Sequence, residues 1–196
     1  MRWIEYLSIA LFAALASFGL WRLVEASGAA FFAVALVAVP LGWIASDLLS
    51  GLLHLAFDTL GSVDTPLVGR AFIRPFREHH ADPEAMTRHD FVETHGASCL
   101  AALPVLAAVC FSSLPILMQA VLLFTALGAL ATNQCHKWAH MEEGATPAFV
   151  RALQRWNIVL PREHHRRHHT APFDSHFCMS CGWLNPALNY CLKAFK

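Results

Sequence analysis

Charge is what this chain has least of. Of its 196 residues 14% are Asp, Glu, Lys or Arg, and 14 acidic side chains balance 14 basic ones; ordinary globular domains carry about 25%. A formal net charge of zero excludes a nucleic-acid binder, because neutralising phosphates needs a clear surplus of Lys and Arg. Scarce charge combined with 56% hydrophobic residues excludes a disordered chain and a coiled coil. Internal repeats and low-complexity tracts are also missing, so the length suggests one domain. The six cysteines (Cys99, Cys110, Cys135, Cys178, Cys181, Cys191) are scattered and make no secreted disulfide framework. Only Cys178 and Cys181 form a CxxC. Without a second pair a zinc knuckle lacks ligands, and the two read as small buried residues. Glu-x-x-His, from which soluble di-iron carboxylate proteins build their sites, does not occur.

The class left standing is an integral membrane protein. Tyr6 to Leu20 is uncharged and lies between Trp3 and Trp21, which suit the two interfaces. Ala14-Leu15-Ala16 could mark a signal-peptide cleavage site, but Ser17 to Leu20 prolong the apolar stretch and favour an uncleaved anchor. From Ala29 to Leu60 runs a second apolar stretch, roughly 48 Å of helix against about 30 Å of hydrocarbon. Its second half, with Asp47, His54 and Asp58, should emerge from the bilayer. Thr94 to His136 contains no Asp, Glu, Lys or Arg and is long enough, at roughly 64 Å, for two spans, with a turn at Ser112, Ser113 and Pro115. The expected fold is therefore all-α: four spans, about 6–21, 29–50, 97–113 and 115–133. Residues 51–96 and 134–196 form a helical, histidine-rich cap. Thirteen of the fourteen Lys and Arg fall on the cap side and Arg22 alone on the other. Basic residues accumulate in cytoplasmic segments, so the cap and both termini are expected in the cytosol, at a bacterial inner membrane or the endoplasmic reticulum.

Histidine is abundant, twelve against fourteen Lys and Arg together. His54 with Asp58 and His136 with His140 are spaced by four, which puts both side chains on one helix face about 5–6 Å apart. His164, His165, His168 and His169 form HHRRHH, read as two adjacent i,i+4 pairs, 164/168 and 165/169. His79 and His80 add a doublet. Ten donors result, and ten is too many for one zinc, which takes four. Two metals of five ligands each would use the whole set. Asp58 is read as a ligand or as a carboxylate that orients one. Iron is the first expectation because imidazole suits it and O₂ activation requires redox change, although zinc is possible in a purified form. No catalytic group separate from the ligands is expected. His89, His95 and His176 are candidates for a supporting role beside the ligands. Arg70, Arg74 and Arg77 either enforce topology or hold a lipid phosphate. A pH-sensing cluster and a non-catalytic zinc cap are the other readings of so many histidines. Haem would use a His pair on facing helices within the spans, and these histidines cluster in the cap.

Six ordered motifs then resemble a known family. They are Asp47-Leu48-Leu49-Ser50-Gly51-Leu52-Leu53-His54 with Asp58-Thr59; Phe72 to His80, reading FIRPFREHH; Thr87-Arg88-His89-Asp90-Phe91; Asn133-Gln134-Cys135-His136-Lys137-Trp138-Ala139-His140; Leu160 to His169, reading LPREHHRRHH; and Gly182-Trp183-Leu184-Asn185. Over roughly residues 46–186 this pattern is similar to the plasmanylethanolamine desaturase (Kua-type lipid desaturase) family. The resemblance implies a membrane desaturase that turns the 1-O-alkyl chain of an ether phospholipid into a vinyl ether, using O₂ and two electrons from a small carrier of cytochrome b5 or ferredoxin type. It also implies ligand positions at His54, Asp58, His79, His80, His136, His140, His164, His165, His168 and His169, with Asn133 and Asn185 as possible supports. Two motifs depart from the family. Thr94-His95-Gly96 stands where it commonly reads Thr-Asn-Gly, and Ala171-Pro172-Phe173-Asp174 where ether-lipid members read Ala/Ser-Pro-His-Glu. The second departure resembles the plant plastid relative that desaturates an acyl chain on phosphatidylglycerol, so an acyl-chain desaturase or hydroxylase is the enzymatic alternative, and a metal-binding membrane protein the non-enzymatic one. His176 lies three residues beyond Phe173 and is expected to support a ligand or face solvent.

Overall fold

The computed structural model describes residues 2–194, and among them every regular element is helical. Helix α1 (Arg2–Ser27) and helix α2 (Phe31–Thr59) are separated by a 3₁₀ turn over Gly28–Ala30, where Gly28 takes φ +50°, a conformation open to glycine at little cost. A π-type turn at Gly69–Ile73 leads into the short α3 (Arg74–Ala81). Then come α4 (Phe91–Phe111), α5 (Ile116–His140), α6 (Ala148–Arg155), α7 (Arg162–His168) and α8 (Asn185–Ala194). Among the described residues three stretches are long and apolar enough to cross a membrane: Arg2–Thr59 counted through its 3₁₀ turn, Phe91–Phe111 and Ile116–His140. The break between α4 and α5 falls at Ser112 and Pro115, where the sequence placed it.

The chain divides into two compact units. The first is Met1–Ser46 with Asp90–Ala131. Its core is Phe12, Leu23, Leu106, Val109 and Leu123 with small residues between them. Small residues set how closely its helices meet. A Cβ on Gly42 would lie 2.6 Å from Phe124 Cβ, and one on Gly96 would lie 2.5 Å from Glu5 Cβ, so neither position has room for a side chain. α4 starts with a capping box in which the Asp90 carboxylate accepts from Glu93 N–H and the Glu93 carboxylate accepts from Asp90 N–H. Arg2 ion-pairs with the same Asp90. The outer surface of this unit is apolar: Phe32, Leu36 and Phe111 are exposed. Such a surface needs lipid rather than water as its neighbour.

The second unit is Asp47–His89 with Thr132–Lys196, and it holds the histidine-rich segments. Its organising residue is Asp47, fully buried on α2. Asp47 Oδ1 accepts from the backbone N–H of Ser180, Cys181 and Gly182 at 2.9–3.0 Å, and Oδ2 from Leu184 N–H at 3.2 Å. A buried charge is tolerated when hydrogen bonds surround it, and here four amides replace the lost water. Ser50 Oγ accepts from Met179 N–H, and Asn185 Oδ1 from Cys178 N–H, so the segment before α8 is pinned against α2. Gly51 permits this contact, since a Cβ there would meet Cys178 Sγ at 2.5 Å. Cys178 and Cys181 are buried free thiols, as the sequence suggested, and burial together with Asp47 pushes the Cys181 thiol up to about 12.

Candidate metal centre

Four helices bring the donors together within the second unit. α2 supplies His54 and Asp58; α5 supplies His136 and His140 from its last two turns. α3 carries the consecutive His79 and His80, and α7 with its C-cap carries His165, His168 and His169. Adjacent helical residues point about 100° apart, so each doublet can serve two places. That is what happens. His79, His136, His140, His165 and His169 form one group, and His54, Asp58, His80 and His168 form another, with ligand atoms in each group within 4.8 Å of one another.

The distances suit a cation better than hydrogen bonds. His165 Nε2 lies 2.8 Å from His136 Nε2, 2.7 Å from His140 Nε2 and 3.1 Å from His169 Nε2. A neutral imidazole carries one N–H, so a single proton cannot satisfy three lone pairs facing the same nitrogen. Two nitrogens bound at about 2.1 Å and a right angle to one ion would be about 3.0 Å apart, close to what is seen. In the second group Asp58 Oδ2 is 3.0 Å from His80 Nε2, 3.3 Å from His54 Nε2 and 3.5 Å from His168 Nε2. His54 Nε2 and Asp58 Oδ1 are buried without a hydrogen-bond partner, a cost that coordination would remove. The two groups abut, with the His80 and His169 rings 4.9 Å apart and the His168 and His169 rings 5.3 Å apart.

Electrostatics keep the rings of the five-histidine group neutral and ready to ligate. Burial, then the neighbouring rings, lower the pKa of His79 and of His169 to about 3, and the fully buried His165 is lowered well below its ordinary value for the same reasons. Orientation comes from the surroundings. His168 Nδ1 is 2.9 Å from the carbonyl oxygen of Ser175, which leaves Nε2 for the donor group. Phe177 packs on His54 and His168 at ring distances of 5.8 and 4.9 Å, and Phe173 stands edge-on to His80 at 5.3 Å.

Nine of the ten sequence-derived donors thus converge, and the tenth does not. Spacing of four makes His164 and His168 donors to one ion, but His164 belongs to neither group. Its ring faces His176 at 5.4 Å, and its Nδ1 sits where a Cβ on Gly182 would intrude at 2.8 Å. One-turn spacing gave the two residues a common stripe, and packing of the 176–182 segment turned His164 away. His176 itself sits beside His164, with its N–H donating to Asn189 Oδ1. His89 is exposed, and its carbonyl accepts from Lys137 Nζ. His95 lies in the first unit, buried and hydrogen-bonded to the Phe91 carbonyl. Asn133 is half-buried on α5, three residues before His136, and Asn185 ties its side chain to both backbone groups of Cys178. Of the three arginines, Arg77 donates to the carbonyls of Phe57, Leu60 and Gly61 and so caps α2; Arg74 faces Glu78 at 3.8 Å; Arg70 is exposed.

Two further groups, Asp47 and the Ser175 carbonyl, help to build the site. Asp47 was legible in principle, since 47, 54 and 58 fall on one helical stripe and a carboxylate inside an apolar run needs a partner. The Ser175 carbonyl carries no sequence signal, because any residue could present it.

Helices long and apolar enough to cross a membrane, together with two abutting histidine-rich groups that could hold metal ions, define the class: an all-helical membrane-type protein with a candidate metal centre. Residues 43–196 match the lipid desaturase domain family, and the chain belongs to that family. It is 48% identical over 159 residues to a plasmanylethanolamine desaturase of Myxococcus xanthus, covering 78% of this chain and 55% of that protein. It is also 48% identical over 160 residues to plasmanylethanolamine desaturase 1 of Mus musculus, covering 76% and 58%. The chloroplastic fatty acid desaturase 4 of Arabidopsis thaliana is 34% identical over 149 residues, covering 76% and 46%. The chain therefore spans about half the length of the curated relatives it matches. No solved structure matches it.

Proposed function

We propose that this chain desaturates a membrane lipid at a dinuclear iron site, and that its substrate is the 1-O-alkyl chain of an ether phospholipid, converted from plasmanyl to plasmenyl form. The observation that carries this reading is the pair of convergent donor groups, one of five imidazoles and one of three imidazoles and a carboxylate. The 48% identity to two plasmanylethanolamine desaturases supports the choice of lipid. Iron held there would supply the redox change that O₂ activation needs and zinc lacks. Two hydrogens leave adjacent carbons of the alkyl chain, and with two electrons from a carrier of cytochrome b5 or ferredoxin type and two protons from water they reduce O₂ to two waters.

The protein's own residues hold and dry the site. His79, His136, His140, His165 and His169 would bind one ion, and His54, Asp58, His80 and His168 the other. Asp58 would offset part of its ion's charge. Ser175 fixes the His168 ring, and Phe177 covers His54 and His168 against water. Asp47 anchors the segment that carries Phe177 and so acts on the site through position. The topology proposed with this function is four spans and a cytosol-facing donor cap, at a bacterial inner membrane or the endoplasmic reticulum, supported by the distribution of Lys and Arg.

Intact-lipid mass spectrometry of cells with and without the chain tests the reading. Loss of two hydrogens from an alkyl chain is the expected result. Loss of two hydrogens from an acyl chain would instead favour the second reading, which the identity to the plant fatty acid desaturase and the Phe173-Asp174 pair support. Gain of one oxygen would point to hydroxylation, and no change to a metal-binding protein without this chemistry.

A further inference from the structure

The two donor groups differ in what lies beside them. A cleft of about 550 Å³ opens on Asp58 and His80, both of the four-donor group, and none of the five histidines of the other group lines it. Its size falls within the range of small-molecule sites, about 300–1,000 Å³. The walls are mixed in character. Leu55, Phe177 and Leu192 line it with apolar surface, whereas Thr59, Arg77 and Asp174 contribute polar groups. A second cavity in this unit, of about 420 Å³, is lined by Glu143, Arg151, Arg155 and Arg162 among others and reaches no donor. An alkyl chain has no reason to enter it.

Phe173 stands where the cleft meets the donors. Its ring is edge-on to His80, and its φ of +61° lies in the left-handed region that bulky L residues avoid. The backbone around it is held by the bonds from Phe173 N–H to the Thr170 carbonyl and from His176 N–H to Asn189 Oδ1. A strained conformation kept by its neighbours presents the ring at one place. Phe173 is 42% exposed and lines the cleft, so part of it is available to a ligand.

We propose that this cleft binds the reacting end of the lipid chain and that Phe173 is the specificity-determining residue, setting which methylenes face the four-donor group. The inference rests on the desaturase reading above. In an ether lipid the reacting bond adjoins the ether oxygen, so the glycerol end must lie within a few ångströms of the donors while the chain continues over apolar surface. A cleft whose wall combines two donors, polar groups, and leucine and phenylalanine surface supplies what both ends of such a lipid need. The ligand class is a glycerolipid with a single saturated chain threaded past Phe173.

Photocrosslinking tests the placement on the full chain in phosphatidylcholine nanodiscs. The probe is a 1-O-alkyl-2-acyl glycerophosphoethanolamine with a diazirine within three carbons of the ether oxygen, applied to metal-free and iron-loaded protein, with a chain-terminal diazirine as control. Adducts on Phe173, Phe177 or Leu192 from the first probe and not from the control are expected in both metal states. Adducts confined to residues around Arg151 to Arg162, or equal labelling by the two probes, would overturn the cleft. Phe173→Ala is expected to raise the share of misplaced or hydroxylated product at least tenfold at unchanged metal content, and Phe173→Leu to restore most of the selectivity. An unchanged product ratio in Phe173→Ala would overturn the role of Phe173; if that variant does not fold, Phe173→Leu against Phe173→Tyr reads the same ratio. Failure of the function reading looks different. A probe with the diazirine near the ester end of an acyl chain would then label the same residues and the ether probe would not, whereas vinyl-ether formation without cleft labelling would defeat the cleft alone.

Discussion

The two donor groups draw on the same short helices yet are unlike as ligands. α3 and α7 feed both through consecutive residues, while α5 serves only the five-histidine group and α2 only the group with Asp58. Five neutral imidazoles leave a bound cation with its full charge, whereas three imidazoles and a carboxylate remove one unit of it. The carboxylate group is also the one that a cleft reaches. Unequal charge and unequal access teach that two ions here would not be interchangeable: one is surrounded by imidazoles alone, and the other is placed to meet a substrate.

The largest effects come from removing a donor from one group at a time. His165→Ala should empty the five-histidine group and His168→Ala the other, each taking metal content from two ions per chain to about one. Activity should fall in both by more than the 10–100-fold typical of losing a group that merely orients a ligand, about 100-fold or beyond. Metal analysis beside lipid turnover checks this. If either single change empties both groups, the nine residues are one cluster and the comparison breaks.

Next in size is a comparison of the two carboxylates of α2. Asp58 is surrounded by imidazoles and Asp47 by four backbone amides, so they answer to different measurements. Asp47→Ala leaves those amides without their acceptor and should cost about 3–5 kcal/mol of stability, seen as a lower thermal midpoint in detergent before any metal is added. Asp58→Ala should instead lower metal content with a smaller change in the metal-free midpoint. A metal-free Asp47→Ala protein as stable as wild type would show that Asp47 does not organise the 180–184 segment.

How much of this was legible in the sequence follows from the same contrast. Spacing of four fixed His54 with Asp58, His136 with His140 and His165 with His169 on common faces, and all three pairs stay together in the structure. The apolar runs marked where the long helices fall, although α1 and α2 extend past the expected spans because a helix need not end where hydrocarbon does. What spacing cannot state is how a doublet divides. His79 and His80 go to different groups because α3 presents them about 100° apart to two sets of partners, a fact of packing rather than pattern. The position of Phe173 depends on a left-handed backbone that its neighbours impose and that no local motif announces.

A moderate effect should appear with pH in the five-histidine group. His79 and His169 titrate near 3 in the folded protein but near 6.5 once unfolded, so the unfolded state binds more protons between those values. The stability they contribute is fully present above the unfolded value and is lost as pH falls toward the folded one, by up to about 1.4 kcal/mol per pH unit for each such imidazole. Metal-free protein should therefore unfold at a lower temperature at pH 5.5 than at pH 7.5, and His79→Gln should reduce that difference. An unchanged difference in the variant would mean that the His79 ring does not stay neutral on folding.

The smallest expected effect is at His164, and it sharpens the comparison most because sequence and structure disagree there. Spacing makes His164 the partner of His168; the structure gives His168 to the group with Asp58 and turns His164 toward His176 and the Gly182 turn. Removing a half-buried ring that ligates nothing costs about 1 kcal/mol or less, which corresponds to keeping about a fifth or more of the activity if all of it were felt at the site. His164→Ala should accordingly retain both ions and most turnover, and His176→Ala should keep at least about a tenth of wild-type activity, since its ring contacts His164 and no donor group. Should His164→Ala lose an ion as His168→Ala does, the one-turn pair would be restored as ligands. The four-donor group would then have a fifth member and match the other in number.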